Sequence, residues 1–77
     1  MDERLKRVMA ETFEVDAERI DTHTAPDTLT AWDSLRHMSL ILALEREFGI
    51  EFDEEEIPEL SSYELLREAI AAKLATT

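Results

Sequence analysis

Three segments of this chain carry apolar residues at the spacing of an amphipathic helix, and this pattern limits the possible fold more than any other feature. The segments are 2–13, 34–48 and about 62–75. A chain of 77 residues has room for one small domain around a single core. The pattern therefore predicts an all-α fold, a small bundle of three to four helices in a single domain, residues 1–77, with a long first loop.

Each predicted helix has one face that is expected to form the core. These residues are Leu5, Val8, Met9 and Phe13 in the first helix, Leu40, Ile41, Leu44 and Phe48 in the second, and Tyr63, Leu66, Ile70 and Leu74 in the third. The connection 14–33 is rich in turn-forming residues, and Pro26 excludes a continuous helix there. Loops of this length are uncommon in compact domains and often functional. Val15, Ile20 and Leu29 are expected to hold this one to the core.

The predicted helix ends carry residues that favour capping. Asp33 precedes the second helix as an N-cap, and Gly49, the only glycine, follows it where a helix takes a left-handed residue. Either Ser61 or Ser62 caps the third helix. With Ser61 as the cap, Glu64 would occupy the capping-box position.

The segment between the second and third helices is short and acidic. Residues 50–52 are expected to be extended, and 53–57 to form one acidic helical turn before Pro58. This acidic run lacks the alternating ligands and central glycine of a calcium loop. His23 and His37 are far apart in the sequence and the chain has no cysteine, so no metal site is expected.

The chain is strongly acidic, with a net charge of −11 from 19 acidic residues against 8 Lys and Arg. A nucleic-acid partner is not expected, because phosphate binding needs a basic surface, and the same charge disfavours anionic membranes. The first residues lack the apolar core of a signal peptide, and no apolar run is long enough to span a bilayer. Together with the absence of cysteine, these features favour a cytoplasmic monomer.

The second helix carries more apolar surface than one buried face needs. Leu35, Met38 and Leu42 lie more than a quarter turn away from the predicted core face. One interpretation is a central helix that packs on both sides, and the other is an exposed ridge for reversible contact with several partners. Residues 35–48 have no net charge, whereas 45–64 contain nine acids and one base. The negative charge is therefore concentrated in the second half of the chain.

The sequence Trp32-Asp33-Ser34-Leu35 stands where the long loop meets the second helix. Ser34 is expected at the first helical position, where its hydroxyl is exposed beside backbone N–H groups without a partner in the helix. A phosphate on this oxygen would lie at the positive end of the helix dipole. Taken alone, the Asp33-Ser34 pair is also compatible with an ordinary cap followed by a solvent-facing serine.

Asp33-Ser34-Leu35, followed by Leu40 and by the pattern Ala-Leu-Glu-x-Glu-Phe-Gly-Ile at 43–50, resembles an acyl carrier protein. The resemblance covers nearly the whole chain, since the length, the acidity, the long first loop and the order of the helices also agree. It implies the helical bundle of that family and a protein that is not itself an enzyme.

The resemblance also implies a cofactor and partners. Ser34 would receive 4′-phosphopantetheine from coenzyme A through a phosphopantetheinyl transferase and magnesium, and the thiol of this arm would hold an acyl group as a thioester. Asp33 would cap the helix and help the approach to the transferase. The residues assigned to partner docking are Trp32, Leu35, Arg36, Met38 and Leu42. Later partners would be a ligase that loads the acyl or aminoacyl group and the enzymes of fatty-acid or specialised metabolite biosynthesis.

Some positions depart from the pattern of that family. Ala31 replaces a glycine that most fatty-acid carriers have, and Trp32 is interpreted as a loop anchor or as a recognition element. Trp-Asp-Ser-Leu is typical of discrete carriers in specialised bacterial pathways. Arg36 stands where housekeeping carriers tend to be acidic, and charge complementarity sets partner choice. His37 is interpreted as partly buried, or as a polar group near the arm that would suit a short or polar cargo.

Two alternatives stay open. One is a discrete aminoacyl or peptidyl carrier loaded by an adenylating enzyme, although the glycine pair usual before the motif in peptide-synthesis carriers is absent here. An unmodified helical interaction domain would keep the apolar ridge but would be indifferent to loss of the Ser34 hydroxyl. A hydrolase is not expected, because the sequence offers no nucleophile paired with a base.

Overall fold

The structure is a computed structural model that describes residues 1–75, and it places three α-helices in them. Their bounds in chain order are Asp2–Phe13 for α1, Ser34–Phe48 for α2 and Tyr63–Ala75 for α3. Two short 3₁₀ helices, Ala17–Arg19 and Ile57–Glu59, lie in the connections before and after α2. Within residues 1–75 there is no strand, and no helix is long and apolar enough to cross a membrane. The all-α prediction is confirmed.

The ends of α2 are set by the residues that the sequence predicted. Asp33 has extended dihedral angles (φ −104°, ψ −178°), and its Oδ1 accepts the Arg36 N–H at 2.8 Å. Gly49 ends the helix in the left-handed conformation (φ 65°, ψ 40°). The N–H of Ile50 reaches back to the carbonyl of Glu45 at 3.2 Å, which satisfies an acceptor that the helix end would leave unpaired.

Two other helix ends are the start of α3, for which the sequence left two possible caps, and the C-cap of α1, whose conformation the sequence did not predict. Ser62 is the N-cap of α3, since its Oγ accepts the Leu65 N–H at 3.1 Å, so the alternative with Ser61 as the cap is wrong. The C-cap that follows α1 is Glu14, a non-glycine residue in the left-handed conformation (φ 57°). A left-handed glutamate is strained relative to glycine, and nothing in the local sequence predicts this conformation.

The core buries the predicted faces of the three helices apart from one residue. The core residues on the helices are Leu5, Val8, Met9, Phe13, Leu40, Ile41, Leu44, Phe48, Tyr63, Leu66 and Ile70. Leu74 is 38% exposed, so its assignment to the core is wrong. Ile20 and Leu29 are buried and the half-buried Val15 packs against the core, which confirms that the loop is held to it.

The long first loop is also held by polar contacts. Thr24 is buried, and its Oγ1 accepts the Asp21 N–H at 2.9 Å. The Thr24 carbonyl accepts the Tyr63 N–H at 2.9 Å. This bond joins the middle of the loop to the start of α3, where the helix supplies no acceptor of its own. The loop is therefore tied down before it reaches α2.

The acidic segment before α3 forms the turn predicted at 53–57, but the helical structure does not stop before Pro58. The Ile57 N–H reaches the Asp53 carbonyl at 3.2 Å, and Asp53 N–H donates to Glu56 Oε2 at 2.8 Å. The chain then continues into the 3₁₀ helix Ile57–Glu59 instead of stopping before Pro58. Proline is tolerated here because the first residues of a helix have no internal acceptor for an N–H.

Ion pairs join α1 to the end of α2. Arg4 Nε and Arg7 Nη2 contact Glu47 Oε2 at 2.9 and 2.8 Å. The hydrogen bond from Arg4 holds the pKa of Glu47 below its ordinary value, with the charge of Arg7 adding to the effect and partial desolvation opposing it. The arginine side chains are more than half exposed, so each pair stabilises the fold only modestly.

Candidate functional site

The serine of the Trp-Asp-Ser-Leu sequence lies where the loop delivers the chain into α2. Ser34 is the first residue of the helix, and its side chain is exposed. The loop approaches through a tight turn, in which the Trp32 N–H donates to the Leu29 carbonyl at 3.0 Å. The Asp33 carbonyl accepts the His37 N–H at 2.8 Å, so the helix starts directly at Ser34.

The geometry at Ser34 fits a phosphodiester. The amides of Ser34 and Leu35 belong to the first turn, where no preceding turn of helix supplies acceptors. The helix that follows has 15 residues, and its dipole favours negative charge at this end. The neighbouring Asp33 carboxylate opposes such a charge but is engaged by the Arg36 amide.

Trp32 anchors the loop and does not offer a docking surface. Its side chain is 3% exposed, and its ring lies 5.2 Å from the ring of Phe13 between centroids. The assignment of Trp32 to partner docking is therefore wrong, and the loop-anchor interpretation is the one that the structure supports. The turn needs no glycine at Ala31, because positive φ among non-glycine residues of the described chain occurs only at Glu14.

His37 is half-buried and bonded at both ring nitrogens. Trp32 Nε1 lies 2.9 Å from His37 Nδ1, and His37 Nε2 lies 2.8 Å from the Ile57 carbonyl oxygen. An indole N–H only donates and a carbonyl only accepts. The bonding partners therefore assign the neutral tautomer in which Nε2 carries the proton. The sequence placed His37 near the core side of α2 but gave no sign of either partner.

The Arg36 guanidinium makes contacts within the chain, with the end of α1. Its Nη1 donates to the Phe13 carbonyl at 3.1 Å, and its Nη2 contacts Glu14 Oε2 at 3.3 Å. The guanidinium therefore satisfies a carbonyl at the C-terminus of α1, where positive charge is favourable. The Arg36 side chain is 38% exposed. The assignment of Arg36 to partner docking stays a prediction.

The second apolar stripe of α2 is exposed to solvent. Leu35 is 80% exposed, Met38 46% and Leu42 58%. The interpretation in which α2 packs on both sides is therefore wrong for these residues. They form a ridge, here called the α2 ridge, that begins next to Ser34. Apolar side chains this exposed and this close together are typical of contact surfaces.

A groove of about 570 Å³ opens beside Ser34. It lies between Pro26 of the first loop, Ser34 and Met38 of α2, and Ile57 and Pro58 of the connection to α3. The sequence gave no signal that these segments meet, because they are separated along the chain and pack together only in the folded domain. Within residues 1–75 no cluster of three or more His, Asp or Glu side chains could hold a metal ion.

Comparisons with known proteins show the family to which the chain belongs. Residues 3–70 match the family described as "Phosphopantetheine attachment site". The chain is also 35% identical over 74 residues to the acyl carrier protein of Thermosynechococcus vestitus, and this similarity covers 95% of the present chain and 90% of that protein. Proteins of this kind are carriers and not catalysts.

The fold and these matches first define a class, the small helical carrier protein that bears a prosthetic group. The chain belongs to the acyl carrier protein family, and its prosthetic group is a covalently attached 4′-phosphopantetheine. The resemblance found in the sequence is thereby confirmed. Such carriers work with a phosphopantetheinyl transferase and with biosynthetic enzymes.

Proposed function

We propose that Ser34 carries the 4′-phosphopantetheine arm, and that the protein holds an acyl group on this arm and presents it to partner enzymes. The position of Ser34 carries the proposal: an exposed hydroxyl on the first residue of a 15-residue helix, beside the exposed α2 ridge. When attached, the arm supplies the thiol that bonds the cargo as a thioester. The chain has no cysteine, so this thiol is the only one on the carrier.

Attachment is a phosphoryl transfer onto Ser34. The hydroxyl oxygen forms a bond to the phosphorus that bears pantetheine in coenzyme A, the diphosphate bond breaks, and adenosine 3′,5′-bisphosphate leaves. The hydroxyl proton passes to a base of the transferase. Asp33, the neighbouring carboxylate, accepts the Arg36 amide at 2.8 Å and serves as the cap of α2. The task of the carrier is to hold the serine in an accessible and constant position.

The α2 ridge is the proposed docking surface for the transferase and for later enzymes. Leu35, Met38 and Leu42 are exposed along one side of the helix that starts at Ser34. The two carboxylates of this helix are engaged inside the protein, since Glu45 accepts the Phe52 N–H at 2.8 Å and Glu47 is bound by two arginines. Recognition of α2 therefore depends on apolar contact more than on free carboxylates.

We expect a monomer that works in the cytoplasm. A net charge of −11 makes copies of the chain repel one another, and a chain without cysteine suits a reducing compartment. Tethering then does the work of the carrier. The arm raises the effective concentration of the cargo at a docked enzyme, and the chemistry takes place in that enzyme.

The first test is an intact mass measurement after incubation with coenzyme A, magnesium and a permissive phosphopantetheinyl transferase. The native chain is expected to gain the mass of one phosphopantetheine, and Ser34→Ala is expected to gain none. Ser39→Ala is the matched control, because Ser39 is an exposed serine on the same helix. This control variant should be modified like the native chain.

Two outcomes would contradict the proposal. Modification of Ser34→Ala would place the arm on another residue. Failure of the folded native chain with several transferases, including one from its own organism, would favour an unmodified helical interaction domain. Circular dichroism of each variant shows that the helices are intact before either conclusion is drawn.

A further inference from the structure

Three residues that line the groove beside Ser34 are joined by hydrogen bonds, which form a bridge along its wall. Trp32 Nε1 donates to His37 Nδ1 at 2.9 Å, and His37 Nε2 donates to the Ile57 carbonyl at 2.8 Å. The bridge joins the first loop, α2 and the connection to α3, the three segments that form the walls of the groove. The imidazole ring also stacks near the indole, at 6.0 Å between centroids and 21° between planes.

The bridge stands between the groove and the core. Trp32 is 3% exposed and packs against Phe13, which is 1% exposed and belongs to α1. A chain that entered the core past this wall would have to displace the indole or the imidazole. It would then leave a buried indole N–H and a carbonyl without partners. Buried polar groups without partners are strongly disfavoured, so the bridge resists opening.

The groove beside the bridge would shield an alkyl chain from water only in part. It is open to solvent, and His37 is among the residues that line it. An alkyl chain laid in it would keep much of its surface in water. Each exposed methylene group raises the free energy of the loaded carrier, so such a chain gains little from folding back.

Resting on the function proposed above, we infer that the Trp32–His37–Ile57 bridge closes the core to the cargo, and that this carrier serves short or polar acyl or aminoacyl groups. The cargo of this carrier stays outside the helical domain. A short or polar group is stable in that position, because it exposes little apolar surface. A long alkyl group would be exposed to water at the end of the arm.

The test compares carriers loaded with two cargoes of different length. A permissive transferase moves acetyl-phosphopantetheine or octanoyl-phosphopantetheine from the corresponding coenzyme A ester to the native chain, and intact mass confirms loading. The melting temperature is followed by circular dichroism, and the emission of Trp32, the only tryptophan, reports on the bridge. Both loaded forms are expected to melt within about 1 °C of each other and to have the same emission.

If the octanoyl chain is buried in the protein, the melting temperature changes by much more than about 1 °C. Burial of even two or three methylene groups would raise the melting temperature of the octanoyl form by about 5 °C or more. A rise of that size together with a shift of the Trp32 emission would overturn the inference. It would leave the proposed function intact, since loading at Ser34 would still have occurred. No mass gain in either sample would overturn the proposed function, and the inference with it.

Two variants of His37 test the bridge itself. His37→Gln keeps an acceptor and a donor on one planar group, and its octanoyl form should behave like the native octanoyl form. His37→Leu removes both bonds and puts an apolar side chain in place of the imidazole, and its octanoyl form should melt several degrees above its acetyl form. If the folded leucine variant shows no such difference, the bridge is not what excludes the chain. If this variant does not fold, the comparison on the native chain still decides.

Discussion

Replacing Asp33 by alanine removes the side-chain acceptor at the start of α2, and the structure sets the size of the expected effect. The carboxylate accepts the Arg36 amide at 2.8 Å, and loss of such an N-cap costs about 1 kcal/mol of unfolding free energy. A change of about 1 kcal/mol alters the ratio of folded to unfolded protein about fivefold. For a domain of this size it lowers the melting temperature by about 4–8 °C.

Asp33→Asn is the matched control, because asparagine is as good an N-cap as aspartate. It removes only the charge, whose interaction with the helix dipole contributes about 0.3–1 kcal/mol at low salt and less at high salt. Urea unfolding followed by circular dichroism, at low and high salt, measures both variants. The asparagine variant should approach the native stability as salt is raised, whereas the alanine variant should not.

The same two variants separate the two roles assigned to Asp33. If its charge helps the approach to the transferase, both variants accept phosphopantetheine more slowly than the native chain by a similar factor. If Asp33 only caps α2, transfer to Asp33→Asn is as fast as to the native chain. An alanine variant whose stability lies within about 0.3 kcal/mol of the native value would refute the capping argument.

Two further predictions concern stability. Gly49→Ala should lower the unfolding free energy by about 1 kcal/mol in urea titrations. The φ angle of Gly49 is 65° and no atom lies within 4 Å of the added Cβ, so backbone strain is the only cost. An unchanged unfolding free energy would contradict the left-handed conformation. The Arg4 hydrogen bond lowers the pKa of Glu47 from its ordinary value of 4.5. The ionised Glu47 carboxylate therefore stabilises the folded protein fully above about pH 4.5, and this stabilisation is lost as pH falls through the lowered pKa. The difference in melting temperature between native and Glu47→Gln protein should therefore shrink below pH 4.5, and a constant difference down to pH 3 would contradict the assignment.

Features that depend on neighbouring residues could be read from the sequence. The bounds of α1 and α2, the Asp33 cap and the left-handed Gly49 were all predicted correctly. Each rests on apolar spacing or on the backbone preference of a single residue, and both are local properties. For the α2 ridge the sequence left two interpretations. A helix with two apolar stripes either packs against other elements on both sides or leaves one stripe exposed to solvent.

Some errors came from treating a local pattern as if it determined its surroundings. Leu74 continues the apolar spacing of α3, but spacing does not tell whether a neighbouring element covers the last turn, and the residue is 38% exposed. Trp32 was assigned to partner docking, with a loop anchor as the alternative interpretation. Its side chain is buried and packs on Phe13, a contact that no neighbouring residue predicts.

The sequence by itself determined the helices, most of the core and the serine proposed to carry the arm, because these follow from periodicity, capping and a motif of adjacent residues. Only the tertiary structure decided what lies around that serine. The partners of His37 are 5 and 20 residues away, and the carbonyl bound by Arg36 is 23 residues away. Hydrogen bonds across such separations form only after the core has brought the segments together, so their geometry is a property of the packed domain and not of any segment of the chain.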